Sequence, residues 1–174
     1  MKKVMFFASY TVLGALALSS VAWAQQNPAY YPSQLIQTVR SATYQYQDVS
    51  VAKAAGYGPF LGCVSGTDHG AMGIHYVNPS LLNGTLDPTK PQALIYEPSN
   101  GQLSLVGVEF IVDAATWLKN NSSSPVLDGQ TFLYVGSPNR YNIPPFFELH
   151  VWAWRLNPNG PFMDWNDNVS CAGQ

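Results

Sequence analysis

From Ser33 onward, apolar or aromatic residues recur at Leu35, Val39, Ala42, Tyr46 and Val49, in steps that draw one face of an α-helix. Ser33 can cap the start of that helix and Gly56 can end it in the left-handed conformation. The run spans up to ~23 residues, or ~34 Å, as one helix or as two shorter ones meeting near Ser41. Beyond Gly56 the chain reads as strands. Residues 59–64, 73–77, 93–97, 103–112, 131–135 and 146–156 are rich in β-branched and aromatic side chains and are separated by Gly, Pro and Asn clusters. Pro98-Ser99-Asn100-Gly101 is a strong turn signal between two of them. Residues 113–120 suggest a helical turn and 121–125 a polar loop. The expected architecture is α+β: an N-terminal amphipathic helix packed on a curved, mainly antiparallel sheet of five or six strands, rolled toward a half-barrel. Neither a repeat nor a linker divides residues 33–174, so they are expected to form a single globular domain.

Alternation along three of these strands points to chemistry. In 103–112 the set Leu103, Leu105, Gly107, Glu109 and Ile111 faces one way, and Val106, Val108, Phe110 and Val112 the other. Both faces are apolar apart from Glu109, so the strand is expected to be covered on both sides. A carboxylate there must be protonated, paired with a cation or bound to a metal. In 146–156, Glu148, His150, Trp152 and Trp154 share one face, and Phe147, Leu149, Val151 and Ala153 take the core side. In 73–77, His75 points away from Ile74 and Tyr76.

If these strands are neighbours, His75, Glu109 and His150 converge with Glu148 beside them. Two imidazoles and one carboxylate suit a divalent transition metal such as zinc, copper or iron, with an open coordination position. Glu148 then has a supporting or catalytic role, fixing a ring or accepting a proton from bound water. His69 lies in the loop Ser65-Gly66-Thr67-Asp68-His69-Gly70, where exposure is the default, although the loop could carry it in as a third imidazole. The competing expectation is a structural network, with the buried Glu held by an imidazole or Arg. Trp152 and Trp154 add a further possibility, a floor on which a flat or apolar ligand stacks, set against plain core packing.

Residues 1–24 change the setting. Lys2 and Lys3 precede a short apolar stretch that ends in Ala22-Trp23-Ala24, the layout of a cleaved secretory signal. The apolar stretch falls short of the ~20 residues of a spanning helix. A polar, Pro-interrupted lead, 25–32, is expected to be flexible. The mature chain is then expected to be soluble in the periplasm or outside the cell, with no membrane partner after cleavage. Losing Lys2 and Lys3 takes Lys plus Arg from 8 to 6 against 10 Asp plus Glu, moving the formal charge from -2 to -4. That charge and the lack of a basic run argue against nucleic acid or anionic membrane as partners, leaving a metal ion or small molecule. In an oxidising compartment Cys63 and Cys171 are expected to pair, a cross-link worth up to ~4–5 kcal/mol in the chain-entropy model. The Cys-x-x-Cys spacing of redox proteins is absent from the sequence, as are a phosphate-binding loop and a nucleophile elbow. Asn83, Asn120, Asn121 and Asn168 sit in sequons that matter only in a glycosylating host.

Five segments also carry a likeness. Residues 72–78 (Met-Gly-Ile-His-Tyr-Val-Asn), 91–97, 105–110 (Leu-Val-Gly-Val-Glu-Phe), 148–154 (Glu-Leu-His-Val-Trp-Ala-Trp) and 157–162 resemble those of a family of small, uncharacterised exported bacterial proteins. The likeness spans roughly residues 42–171. It implies a bacterial exported origin and draws attention to His75, Glu109, Glu148 and His150, and it brings no activity with it.

Overall fold

A computed structural model of the protein describes residue 1 and residues 33–174. The expected signal segment and lead lie outside the described residues, Met1 apart. Helix α1 (Gln34–Thr43) begins where Ser33 Oγ accepts a hydrogen bond from the Ile36 amide at 3.3 Å. It buries Leu35, Ile36, Val39 and Thr43. The amphipathic run is not one helix, and its break falls later than Ser41. Tyr44–Gln47 tighten into a 3-10 turn, and Asp48, in extended conformation, caps α2 (Val49–Ala54) by accepting from the Ser50 amide at 2.8 Å. The Asp side chain competes with the helix for backbone donors, and the Tyr46 carbonyl is taken by the Tyr96 hydroxyl at 2.6 Å.

Six strands follow in one curled, half-barrel sheet ordered β1-β2-β3-β4-β8-β7, every pairing antiparallel. They are β1 (Gly58–Ser65), β2 (Ala71–Val77), β3 (Ala93–Ser99), β4 (Gln102–Asp113), β7 (Leu133–Val135) and β8 (Phe146–Val151). A short helix, α3 (Ala114–Leu118), and a separate hairpin of β5 (Val126–Leu127) and β6 (Gln130–Thr131) lie between β4 and β7. Residues 131–135, expected as one strand, are thus shared between that hairpin and the sheet edge. Among the described residues no helix is long and apolar enough to cross a membrane.

The helices cover one face of the sheet, where Leu35, Val39, Leu94, Tyr96, Val108 and Phe110 share the main core. On the other face a smaller apolar group, Ala71, Ile95, Val106, Trp152 and Val169, packs against Cys171. Cys171 is bonded to Cys63 of β1, with the Cα atoms 5.6 Å apart across 108 residues of chain.

Two departures from simple alternation set these faces. Ile95 pairs with Gly107 and Tyr96 with Leu105, so Val106 is an extra residue, a β-bulge. Leu103 and Leu105 therefore turn to the helix-covered core, and Glu109 does not share their face as strict alternation implies. The second departure ends β8 at Val151 instead of residue 156: the Trp152 amide donates to Pro161 O, and the amides of Trp154 and Arg155 both donate to Val106 O. The two indoles consequently part. Trp152 is buried beside His150, its ring stacked at 6.1 Å, whereas Trp154 crosses to the helix side, donating to Thr43 Oγ1 at 3.2 Å beside Tyr44. The expected two-indole floor for a ligand is not formed.

Candidate metal centre

β2 supplies His75, β4 supplies Glu109, and β8 supplies Glu148 and His150. Glu109 and His150 are direct cross-strand partners, which fixes their side chains on one face. His75 arrives differently. β3 separates β2 from β4, and Ala93, paired with both Val77 and Glu109, lies between them. Ala93 is fully buried and shares the face of its cross-strand partner Glu109, so only a methyl group stands beside Glu109 on the side toward β2.

His75 Nε2 lies 3.3 Å from Glu109 Oε2 and 3.5 Å from His150 Nε2. The three donor atoms fall within 4.8 Å of one another. All four side chains are buried: His75 is 7% exposed, Glu109 4%, Glu148 3% and His150 0%. A tetrahedral ion with bonds of about 2.0–2.1 Å holds neighbouring donor atoms about 3.3–3.4 Å apart, close to the two separations found. The group can hold a metal ion.

Burial and the neighbouring His150 push the His75 ring down to about 3 from its ordinary 6.5, so it is held neutral. Burial, then the negative charge and hydrogen bond of Glu148, hold Glu109 well above the ordinary carboxyl value. Burial raises Glu148 as well, opposed by His150 and by its bond with Glu109. Both carboxyls are thus held toward their neutral forms in this buried setting.

Asp164 completes the cluster and was not legible as a site residue. It comes from the irregular segment after β8, where no periodicity marks it. Its placement depends on Gly70, whose left-handed backbone (φ +66°) lies so close to residue 166 that a Cβ would sit 2.2 Å from Asn166 O. That approach allows the paired Ala71–Asn166 amide bonds, each 3.2 Å, which bring Asp164 Oδ1 to 3.5 Å from His150 Nδ1. The contact is within ion-pair reach but is not aligned as a hydrogen bond, so His150 Nδ1 and Glu148 Oε2 are buried without hydrogen-bond partners among the described residues. His69 stays exposed in its loop and does not join.

Two cavities reach the cluster. A narrow apolar one of about 50 Å³, lined by Phe60, Val64, Ile111 and Phe146, ends on His75 and Glu109. A wider one of about 470 Å³, lined by Met72, Tyr134 and Trp165, ends on Glu148 and Asp164. Tyr141 stands in the wall of both and donates to Met72 Sδ at 3.3 Å. Burial and the two Glu carboxyls raise its hydroxyl above the usual phenol value. Comparison of the chain with protein-family models, curated proteins and solved structures finds no match.

Proposed function

We propose that this protein is exported and binds a divalent transition metal ion through His75 Nε2, His150 Nε2 and Glu109, leaving a coordination position open toward the narrow apolar cavity. The observation that carries the reading is the spacing of the three donor atoms, 3.3 and 3.5 Å along its two measured edges. Two nitrogens and one oxygen favour zinc, copper or iron over magnesium or calcium, which prefer oxygen. Glu148 supports the centre through its hydrogen bond with Glu109. The Cys63–Cys171 bond and the layout of residues 1–24 support an oxidising, extracytoplasmic setting.

Elemental analysis of protein purified from its host's envelope without chelator tests the reading. Bound zinc, copper or iron is expected, and loss of it in His75→Ala and His150→Ala. A native protein that carries no metal and takes up none would end the proposal.

A second reading has its own support, the direct cross-strand pairing of Glu109 with His150, by which a buried polar pair fixes strand register. A His150→Gln variant that keeps any bound metal but unfolds more easily would favour it.

A further inference from the structure

We propose a second cation site on the opposite edge of the His150 ring, formed by His150 Nδ1, Glu148 and Asp164, so that His150 bridges two metal ions. The inference rests on the metal reading above, since the ring is common to both sites. Its evidence is separate. Each of the three residues offers a ligand atom within 4.8 Å of those of the other two, His150 Nδ1 lies 3.5 Å from Asp164 Oδ1, and His150 Nδ1 and Glu148 Oε2 are buried with no hydrogen-bond partner among the described residues. Orphaned polar atoms at such depth are costly unless a ligand meets them. The wide cavity lined by Glu148 and Asp164 gives an ion a path in.

Charge favours two ions over one. Glu109, Glu148 and Asp164 carry three negative charges when ionised; with one divalent ion the third is met only by a carboxyl keeping its proton, whereas a second ion meets it directly. Arg140 lines the same cavity, but its guanidinium lies over the Trp165 ring at 5.1 Å and donates to Ser65 O at 3.2 Å. When the second ion binds Nδ1, the remaining N–H proton of the ring leaves to solvent. The bridging imidazolate and three carboxylates then supply four negative charges for two divalent ions. One nitrogen and two carboxylate oxygens make the second site harder than the first. Bonds of about 2 Å on either side of the ring separate the ions by about 6 Å.

The test uses the mature protein, stripped with chelator, loaded with excess Cu(II) and desalted. Metal analysis is expected to give about two copper ions per chain, and low-temperature electron paramagnetic resonance far less signal than two independent spins, because the bridge couples them. Asp164→Asn is expected to hold about one copper with a full one-spin signal, since the His75 side is intact. Asp164 has a partly exposed side chain (25%), and the wild-type measurements decide the question even if the variant is unstable. One copper per chain, unchanged by Asp164→Asn, would remove the second site and leave the first standing. Two copper ions with two full, uncoupled spins would remove the bridge, and no bound copper would remove both sites.

Discussion

Glu109 shows what a single ionisable side chain does when its surroundings are hydrocarbon. Burial holds it toward the neutral acid, and on the proposed reading a bound metal ion displaces its proton to solvent. Glu109→Gln keeps the shape and removes the charge, so the metal-free variant is expected to melt within a few degrees of wild type. Wild-type protein at a free metal concentration ~100-fold above Kd should gain ~2.7 kcal/mol, and the variant should lose most of that gain; thermal shifts with and without metal compare the two. The pH dependence of the metal-free protein follows from the same groups. His75, held down to about 3 from 6.5, lets the unfolded chain bind more protons below pH 6.5, so stability falls as pH drops through that range. Glu109 and Glu148, raised from 4.5, let the folded chain hold more protons above pH 4.5, so stability falls as pH rises from there. Denaturant midpoints of chelator-treated protein should therefore peak between pH 4.5 and 6.5, and a midpoint that climbs steadily to pH 9 would contradict these assignments.

At the level of strands and helices, short-range pattern and long-range contact divide the work. His75, Glu109, Glu148 and His150 were legible because each sits in a locally regular strand, where alternation states which side chains share a face. The β3–β4 turn was legible too: Asn100 and Gly101 both have positive φ, 50° and 75°, as a tight hairpin with Asn-Gly at its tip requires. Val106 was not, because nothing local distinguishes a bulge residue from its valine-rich neighbours, and the error carried to Leu103 and Leu105. Trp154 failed for a related reason, since β8 is ended by amides donating to Val106 O and Pro161 O, partners distant in sequence. Asp164 depends on Gly70 and Asn166 meeting, again a long-range event. Ala93 offers a test at this scale. Ala93→Val puts two methyl groups beside Glu109 on the side toward β2, with an expected cost of ~1–3 kcal/mol and loss of metal binding. Metal analysis together with chemical denaturation checks both halves, and unaltered metal content would refute the account of how His75 reaches across β3.

Across the whole chain, the Cys63–Cys171 bond joins β1 to the end of a tail that has no strand of its own after Val151. Near its end that tail is also held by the Ala71–Asn166 pair and by Glu97, which accepts from the Ser170 amide at 3.0 Å and is paired with Arg155. Cys63→Ser with Cys171→Ser is expected to lower stability by up to ~4–5 kcal/mol for a loop of this length, read as a shift of the urea midpoint against wild type. A shift near zero would show that the noncovalent contacts alone fix the tail. The same bond bears on the order of maturation. Asp164 lies on the tethered segment, so a chain whose thiols are still reduced has a looser grip on one of its carboxylates. Oxidation should therefore come before full loading with cargo, and a batch made in a reducing cytosol should arrive with part of its complement missing.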